Sequence, residues 1–411
     1  MRVKWLASQT AARHRPRMNT ITTNPHLTAT FPPPVMRARE WIAGRTFPPD
    51  RPLLNLSQAA PTDPPPAQMR QAMAEMIVND PGAHLYGPVL GFPELREAVA
   101  ERWSHDYGGR IVSDQVAITS GCNQAFCAAV ASLARQGDNV ILPTPWYFNH
   151  QMWLEMSGIE TRALPVRDRM FPDVAEAERL IDAHTRAIVL VTPNNPTGAE
   201  YPAGLMRAFL ELARRHGLAL IVDETYRDFH SSDASPHDLF TDPDWHDTLI
   251  HLYSFSKAFR LTGHRVGAVT AGAGLMVQIE KFLDTVTICA NQLGQRAALY
   301  GLRHMSDWLR GERSEILSRK ALIDGLIDTL DGWERLGSGA YFAYLRHPYD
   351  MTSDLLTQRL VAEQSLLVLP GTMFAPESTD GFAEATLRVA FANAGEEGLR
   401  QMAHRLAAFT P

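Results

Sequence analysis

Lys257 stands in the run Tyr253-Ser254-Phe255-Ser256-Lys257-Ala258-Phe259-Arg260, directly after an apolar, strand-like stretch, and is one of only four lysines among 39 basic residues. A primary amine condenses with an aldehyde and can be displaced by a substrate amine, whereas an arginine guanidinium keeps its charge at every accessible pH and cannot. The hydroxyls ahead of the lysine are short donors, and Arg265, eight residues on, is a fixed positive charge. Together they suit an anionic group bound beside the amine. Read alone, the run also fits an ordinary surface lysine in a chain where arginine has replaced lysine throughout.

Asp223-Glu224-Thr225-Tyr226 closes the apolar run Leu218-Ala219-Leu220-Ile221-Val222. A carboxylate at the mouth of a buried strand is costly unless a cation pairs with it. A protonated pyridine nitrogen is one such cation, and with Asp223 holding that proton the ring becomes an electron sink for amino-acid carbanion chemistry. A helix cap or a structural ion pair is the plainer reading. Thr119-Ser120-Gly121-Cys122-Asn123-Gln124 leads from a strand into a helix, so first-turn N–H groups and the helix dipole can face a phosphate. Pro193-Asn194-Asn195-Pro196-Thr197-Gly198 fixes an amide between prolines, suited to a phenolate oxygen, although Pro, Asn and Gly favour any turn. Pyridoxal phosphate meets all of these needs.

The elements that must position these residues alternate. Residues 68–78 and 93–106 read as amphipathic helices, 116–119 as a strand, 124–135 as a helix and 139–142 as a strand. Residues 187–192, 218–223, 249–253 and 266–271 are short β-rich runs. Their continuous apolarity predicts strands buried on both faces of a mostly parallel sheet covered by helices, an α/β architecture. The candidate residues fall at strand ends, where such sheets bind ligands. From Met276 to Asp331 the pattern is mostly helical, with one long stretch over 292–328, and the remainder returns to mixed β and α.

At roughly 100 to 200 residues per domain, 411 residues suggests two or three domains. A formal charge of -6 without a dense basic stripe argues against a nucleic-acid partner. Cys122, Cys127 and Cys289 form neither a disulfide framework nor a metal-ligand spacing, so no metal is expected and a cytoplasmic location suits them. The apolar runs are far shorter than the ~20 residues of a membrane span. The first 39 residues hold seven basic residues and no acid before Glu40. A disordered or extended tail over 1–40 is expected, with a start at Met18 or an organelle leader as alternatives. The prolines at 32–34 and 61–66 are read as extended chain.

In order along the chain, Tyr86-Gly87-Pro88-Val89-Leu90-Gly91-Phe92-Pro93-Glu94-Leu95-Arg96, Ser120-Gly121, Pro145-Trp146-Tyr147, Asn195-Pro196-Thr197-Gly198, Asp223-Glu224-Thr225-Tyr226, Ser254-Phe255-Ser256-Lys257 with Arg265, Pro370-Gly371 and Leu387-Arg388-Val389 resemble the class I/II aminotransferases. This is the aspartate aminotransferase superfamily, of pyridoxal phosphate fold type I. The resemblance spans about residues 54–411. It implies a large domain over 64–310 with a mostly parallel seven-stranded sheet, and a smaller α+β domain made of 41–63 and 311–411. It also implies cis peptide bonds before Pro145 and Pro196.

Carried over position by position, the resemblance makes Lys257 the covalent attachment point and the proton carrier. Asp223 pairs with the pyridine nitrogen, Asn195 and Tyr226 hold the phenolate oxygen, and Tyr147, rather than Trp146, stacks on the ring. Gly121, Cys122, Asn123, Ser254 and Arg265 form the phosphate cup. Tyr86 reaches the phosphate of a neighbouring subunit, which implies a homodimer with composite sites. Arg388 grips the substrate α-carboxylate in a two-pronged pair.

Two departures stand out. The substrate-facing loop, often built around a glycine before proline in the family, reads Gln58-Ala59-Ala60-Pro61, and no second arginine for a side-chain carboxylate can be placed. Ala59 is expected at the substrate, whose side chain reads as neutral or aromatic. The implied reaction is a two-step exchange between an L-amino acid and a 2-oxo acid, with a β-eliminating carbon-sulfur lyase or related chemistry on the same fold as the alternative. A pyridoxal-sensing transcription regulator would need a DNA-binding module ahead of residue 54, where the chain is short and proline-rich.

Overall fold

The computed structural model describes residues 21–377 and 380–411. Its largest sheet is built from β2 (Val116–Thr119), β3 (Asn139–Thr144), β4 (Glu160–Pro165), β5 (Thr185–Val191), β6 (Ala219–Asp223), β7 (Leu249–Ser254) and β8 (Gly267–Thr270), which follow a short β1 (Leu54–Asn55). The seven strands lie in the order β2-β8-β7-β6-β5-β3-β4. Only β8 runs against its neighbours, β2 and β7. The continuous apolarity of the strands has a direct cause: alternate residues serve two different cores. Along β5, Ile188 and Leu190 pack on one face and Ala187 and Val189 on the other.

Helices Pro93–Tyr107, Ala203–Arg215 and Gln292–His304 cover the first face, and Cys122–Leu133, Phe148–Met156 and Ala273–Thr287 the second. A third core lies on the smaller sheet formed by β9 (Glu334–Gly339), β10 (Phe342–Arg346), β12 (Leu369–Pro370) and β13 (Thr386–Ala390), in the antiparallel order β12-β13-β10-β9. Between them in sequence, β11 (Leu366–Leu367) pairs in parallel with β1, so the chain ahead of the large sheet is fastened to the C-terminal part. Leu56 and Ile316 share the third core.

Two expectations need correction, and one strand was missed. The tail is not extended throughout: Pro25–Ala29 and Pro34–Glu40 are short helices, and Pro34 occupies the first helical position, where a missing N–H costs nothing. The expectations that fall on residues 1–20, including a start at Met18, lie outside the described residues. The long helix expected over 292–328 is two helices, Gln292–His304 and Ser306–Ile327, separated at Met305, whose backbone leaves the helical region (φ -123°, ψ 23°). Strand β4 escaped the sequence reading because it lies on the sheet edge, with only Leu164 fully buried. The bonds before Pro145 and Pro196 are cis as expected, and so is that before Pro193.

Candidate active site

Strands β6 and β7 deliver the acid and the amine to the same end of the sheet. Asp223 is the last residue of β6 and is paired with Leu252 of β7; Ser254 ends β7 and caps the one-turn helix Phe255–Ala258 that carries Lys257. Because strand side chains alternate, Asp223 and Glu224 face opposite sides. Asp223 looks toward the second face, where its Oδ2 lies 3.2 Å from Nε2 of His150, and its Oδ1 accepts from the N–H of Thr225 at 3.0 Å. Glu224 is buried on the other face against His251, at 2.8 Å, and Tyr107. Burial alone would raise the Asp223 carboxyl, but the close approach of His150, with the Thr225 donors, outweighs it and holds the group below the usual carboxylate range.

Lys257 donates to the carbonyl oxygen of Ala59 at 2.6 Å. Burial first, then the charges of Arg265 and Arg388, lower its ammonium to about 8. The amine is therefore far closer to its nucleophilic form at neutral pH than an ordinary lysine.

Gly121 has a left-handed φ of 85° and precedes the helix Cys122–Leu133; a Cβ there would stand 2.2 Å from Nη2 of Arg265. Only glycine lets the guanidinium come this close to the turn. Arg265 also donates to the hydroxyl of Ser256 at 3.2 Å, and Ser254 Oγ accepts from the Ser256 N–H at 3.3 Å. Hydroxyls, guanidinium and helix N-terminus thus surround one end of a cavity of about 320 Å³. An anion suits this end on three counts, and the amine of Lys257 opens into the same space.

The opposite side is built by the loop after β5 and by β13. Gly198, at φ 74°, packs so tightly on β9 that a Cβ would lie 2.2 Å from the Gly339 nitrogen, which draws the Asn195 loop against the smaller sheet. Arg388 of β13 is 2 % exposed and donates to Asn195 Oδ1 at 3.0 Å and to the carbonyl of Ser57. Among the described residues its Nε has no partner, and its guanidinium lies over the rings of Phe342 and Phe374, at 5.2 and 4.9 Å. Burial pulls its pKa to about 10, so it remains cationic at neutral pH, a buried charge with an unused donor.

The structure gathers Lys257, Asp223, Tyr147, Cys122, Asn123, Asn195, Tyr226, Ser254, Arg265, Arg388 and Ala59 around this cavity, with Gly121 behind Arg265. The hydroxyl of Tyr147 donates to Asn123 Oδ1 at 3.2 Å, and burial, then Asp223, pushes that phenol up. Trp146 is buried in the core. Tyr86 is 81 % exposed and takes no part in the cavity of this single chain. Sequence reasoning missed His150, Thr225, Phe148 and the N-terminal residues Pro33 and Val35, which also line or support the site. Thr225 and Ser256 lie inside quoted motifs and were open to notice; His150 carries no local signal. Among the described residues no group of His, Cys, Asp and Glu could hold a metal ion.

This arrangement of an amine, a buried acid and a phosphate-shaped end on a doubly wound sheet defines a class of transferase. Residues 51–406 match aminotransferase class I and II, and the chain belongs to that family. It is an aminotransferase. Among its relatives, an aromatic aminotransferase of Arabidopsis thaliana is 28 % identical over 364 residues, covering 86 % of this chain and 88 % of the relative. A methionine aminotransferase of Escherichia coli is 27 % identical, covering 85 % and 92 %. The aspartate aminotransferase of Thermus thermophilus, solved with maleate, superposes with a TM-score of 0.85 at 24 % identity, over 94 % of this chain and 99 % of that one, a likeness of fold. No described helix is long and apolar enough to cross a membrane.

Proposed function

We propose that the chain exchanges the amino group of an L-amino acid with a 2-oxo acid in two half-reactions, using pyridoxal phosphate held by Lys257, Asp223 and Arg265. The convergence of these three side chains on one cavity carries the reading. The residues fit the group: Gly121 leaves room for Arg265 at the phosphate end, Lys257 is half-deprotonated near pH 8, and the Nε of Arg388 is unpaired. When bound, pyridoxal phosphate draws electrons from the Cα–H bond of the joined amino acid, so that the proton can leave there and return on the cofactor.

The rest falls to the chain's own residues. Asp223, kept ionised by His150, holds a proton on the pyridine nitrogen. Asn195 and Tyr226 face the phenolate oxygen, and Tyr147 covers the ring. Ser254, Ser256, Arg265 and the N–H groups of Cys122 and Asn123 grip the phosphate. Arg388 turns two donors to the α-carboxylate, which aligns the Cα proton with Lys257; the lysine amine takes that proton and passes it on.

The substrate side chain is uncharged in this reading. The cavity wall away from the cofactor end offers Pro33, Val35 and Phe148, and among the described residues Arg265 and Arg388 are the only arginines lining it. Relatives are named for aromatic, methionine, aspartate and arginine substrates. We further propose the two-part division at about residues 64–310 against 41–63 with 311–411, a homodimer whose Tyr86 completes the partner's phosphate cup, and a cytoplasmic location without membrane or nucleic-acid partners.

The test mixes cofactor-loaded enzyme with single amino acids and follows the cofactor's absorption. Loss of the aldehyde-form band with stoichiometric 2-oxo acid supports the reading, with neutral or aromatic amino acids reacting best. Release of ammonia and pyruvate from a β-substituted alanine, with no amine form accumulating, overturns it in favour of a lyase.

A further inference from the structure

Three consecutive backbone carbonyls of one loop hold three side chains. Ser57 O accepts from Arg388, Gln58 O accepts from Nδ2 of Asn393, and Ala59 O accepts from Lys257 at 2.6 Å. The Oδ1 of the same Asn393 accepts from the N–H of Ala60 at 3.3 Å, so one amide grips the loop on both sides of Ala59. Asn393 lies in the turn Phe391–Asn393 directly after β13, the strand that carries Arg388. The loop that occupies the two working cations is thus fastened to the strand that supplies one of them.

Resting on the assignment of Lys257 and Arg388 above, we propose that Asn393 is a positioning residue that sets the Ser57 and Ala59 carbonyls against these two cations and so governs how readily each is released to its ligand. A substrate carboxylate must take donors that Arg388 now gives to Ser57 and Asn195, and the cofactor aldehyde must take the nitrogen that Lys257 now turns to Ala59. Both exchanges need the loop to yield without leaving the mouth of the site. An amide with one donor and one acceptor, set across a three-residue stretch, fixes the backbone while leaving its carbonyl directions free to adjust. Within the loop the Ala60 N–H also donates to the Gln58 carbonyl at 3.0 Å, so the turn closes on itself and Asn393 ties both of its ends to the segment after β13.

The test uses the full chain, the wild type against Asn393→Ala and Asn393→Asp, the latter retaining an acceptor for Ala60 N–H while losing the donor to Gln58. Two readouts are taken: capture of pyridoxal phosphate by cofactor-free enzyme as a function of pH, and KM and kcat of the loaded enzyme. Freed from its clamp, the Ala59 carbonyl no longer supports the protonated amine, so the midpoint of capture moves to lower pH in Asn393→Ala. KM for amino acid and 2-oxo acid rises about tenfold with kcat within about twofold, and Asn393→Asp falls between. An unchanged midpoint with unchanged KM in both variants, or a fall in kcat alone, overturns the proposal. If wild-type enzyme captures no cofactor at Lys257, it is the assignment of the site that fails, a result the variants do not produce.

Discussion

The Nε2 of His150 lies 3.2 Å from Oδ2 of Asp223, with both side chains almost wholly buried. The imidazole is itself fixed by stacking on Phe126, ring centroids 3.9 Å apart, and by the edge of Tyr147 at 5.0 Å. Asp223 is therefore backed by an aromatic stack that also includes Tyr147.

His150→Phe keeps the stack and removes the partner. Burial then dominates at Asp223 and its carboxyl rises, so the acid becomes neutral at a pH where it was an anion. We expect kcat/KM to fall about tenfold to a hundredfold at pH 7, the scale of removing a polar partner from a buried charged group, and the acid limb of the pH profile to move upward. A profile parallel to that of the wild type would show that His150 does not support the acid.

His150 also marks the limit of what the sequence reveals. Lys257, Asp223 and Asn195 stand at or just after the ends of apolar runs and Arg265 just ahead of one, whereas Arg388 lies inside a strand run and is read from the order of the motifs. His150 sits on a helix with no motif and meets Asp223 only because β3 and β6 bring their following segments to the same edge. The architecture was readable because buried parallel strands are apolar on both faces. Strand β4, open on one side, lacked that signature. Pro33 and Val35 were lost for a different reason: proline signals a break in chain regularity, and here it starts a helix that reaches the cavity.

An ammonium at about 8 makes roughly a tenth of Lys257 neutral at pH 7, against well under a thousandth for an ordinary lysine. Capture of pyridoxal phosphate by cofactor-free enzyme should therefore rise with pH to a plateau above about 8. Borohydride reduction followed by peptide mapping should then place the pyridoxyl group on Lys257. Label on Lys281 or Lys320 would refute the assignment. Lys257→Ala should still hold the cofactor through Asp223 and Arg265 while losing several orders of magnitude in rate, because attachment point and proton carrier disappear together.

Arg388→Lys preserves the charge but not the planar fork, and it also abandons the contacts to Asn195 and Ser57. We expect KM for every amino acid and 2-oxo acid to rise about tenfold to a hundredfold, equivalent to about 1.5 to 3 kcal/mol for a lost charge-assisted bond. The loss should be the same whatever the side chain, since the α-carboxylate is common to all substrates. A defect confined to one amino acid would move Arg388 from carboxylate binding to side-chain selection.

Tyr86 is the predicted site residue that the single chain leaves outside its own cavity. It is 81 % exposed beside Leu85 at 65 %, a cost in apolar surface that a partner subunit would remove. If its hydroxyl completes the neighbour's phosphate cup, Tyr86→Phe should weaken cofactor binding by about tenfold, the scale of one hydrogen bond to a charged group, with little change in the mass of the dimer. Mixing Tyr86→Phe with Lys257→Ala separates the arrangements. In a mixed dimer with exchange between subunits, one site carries both defects and the other carries neither, so about half of the dimer's activity returns in that species. No recovery on mixing, with subunit exchange verified by mass, would place the action of Tyr86 within its own chain.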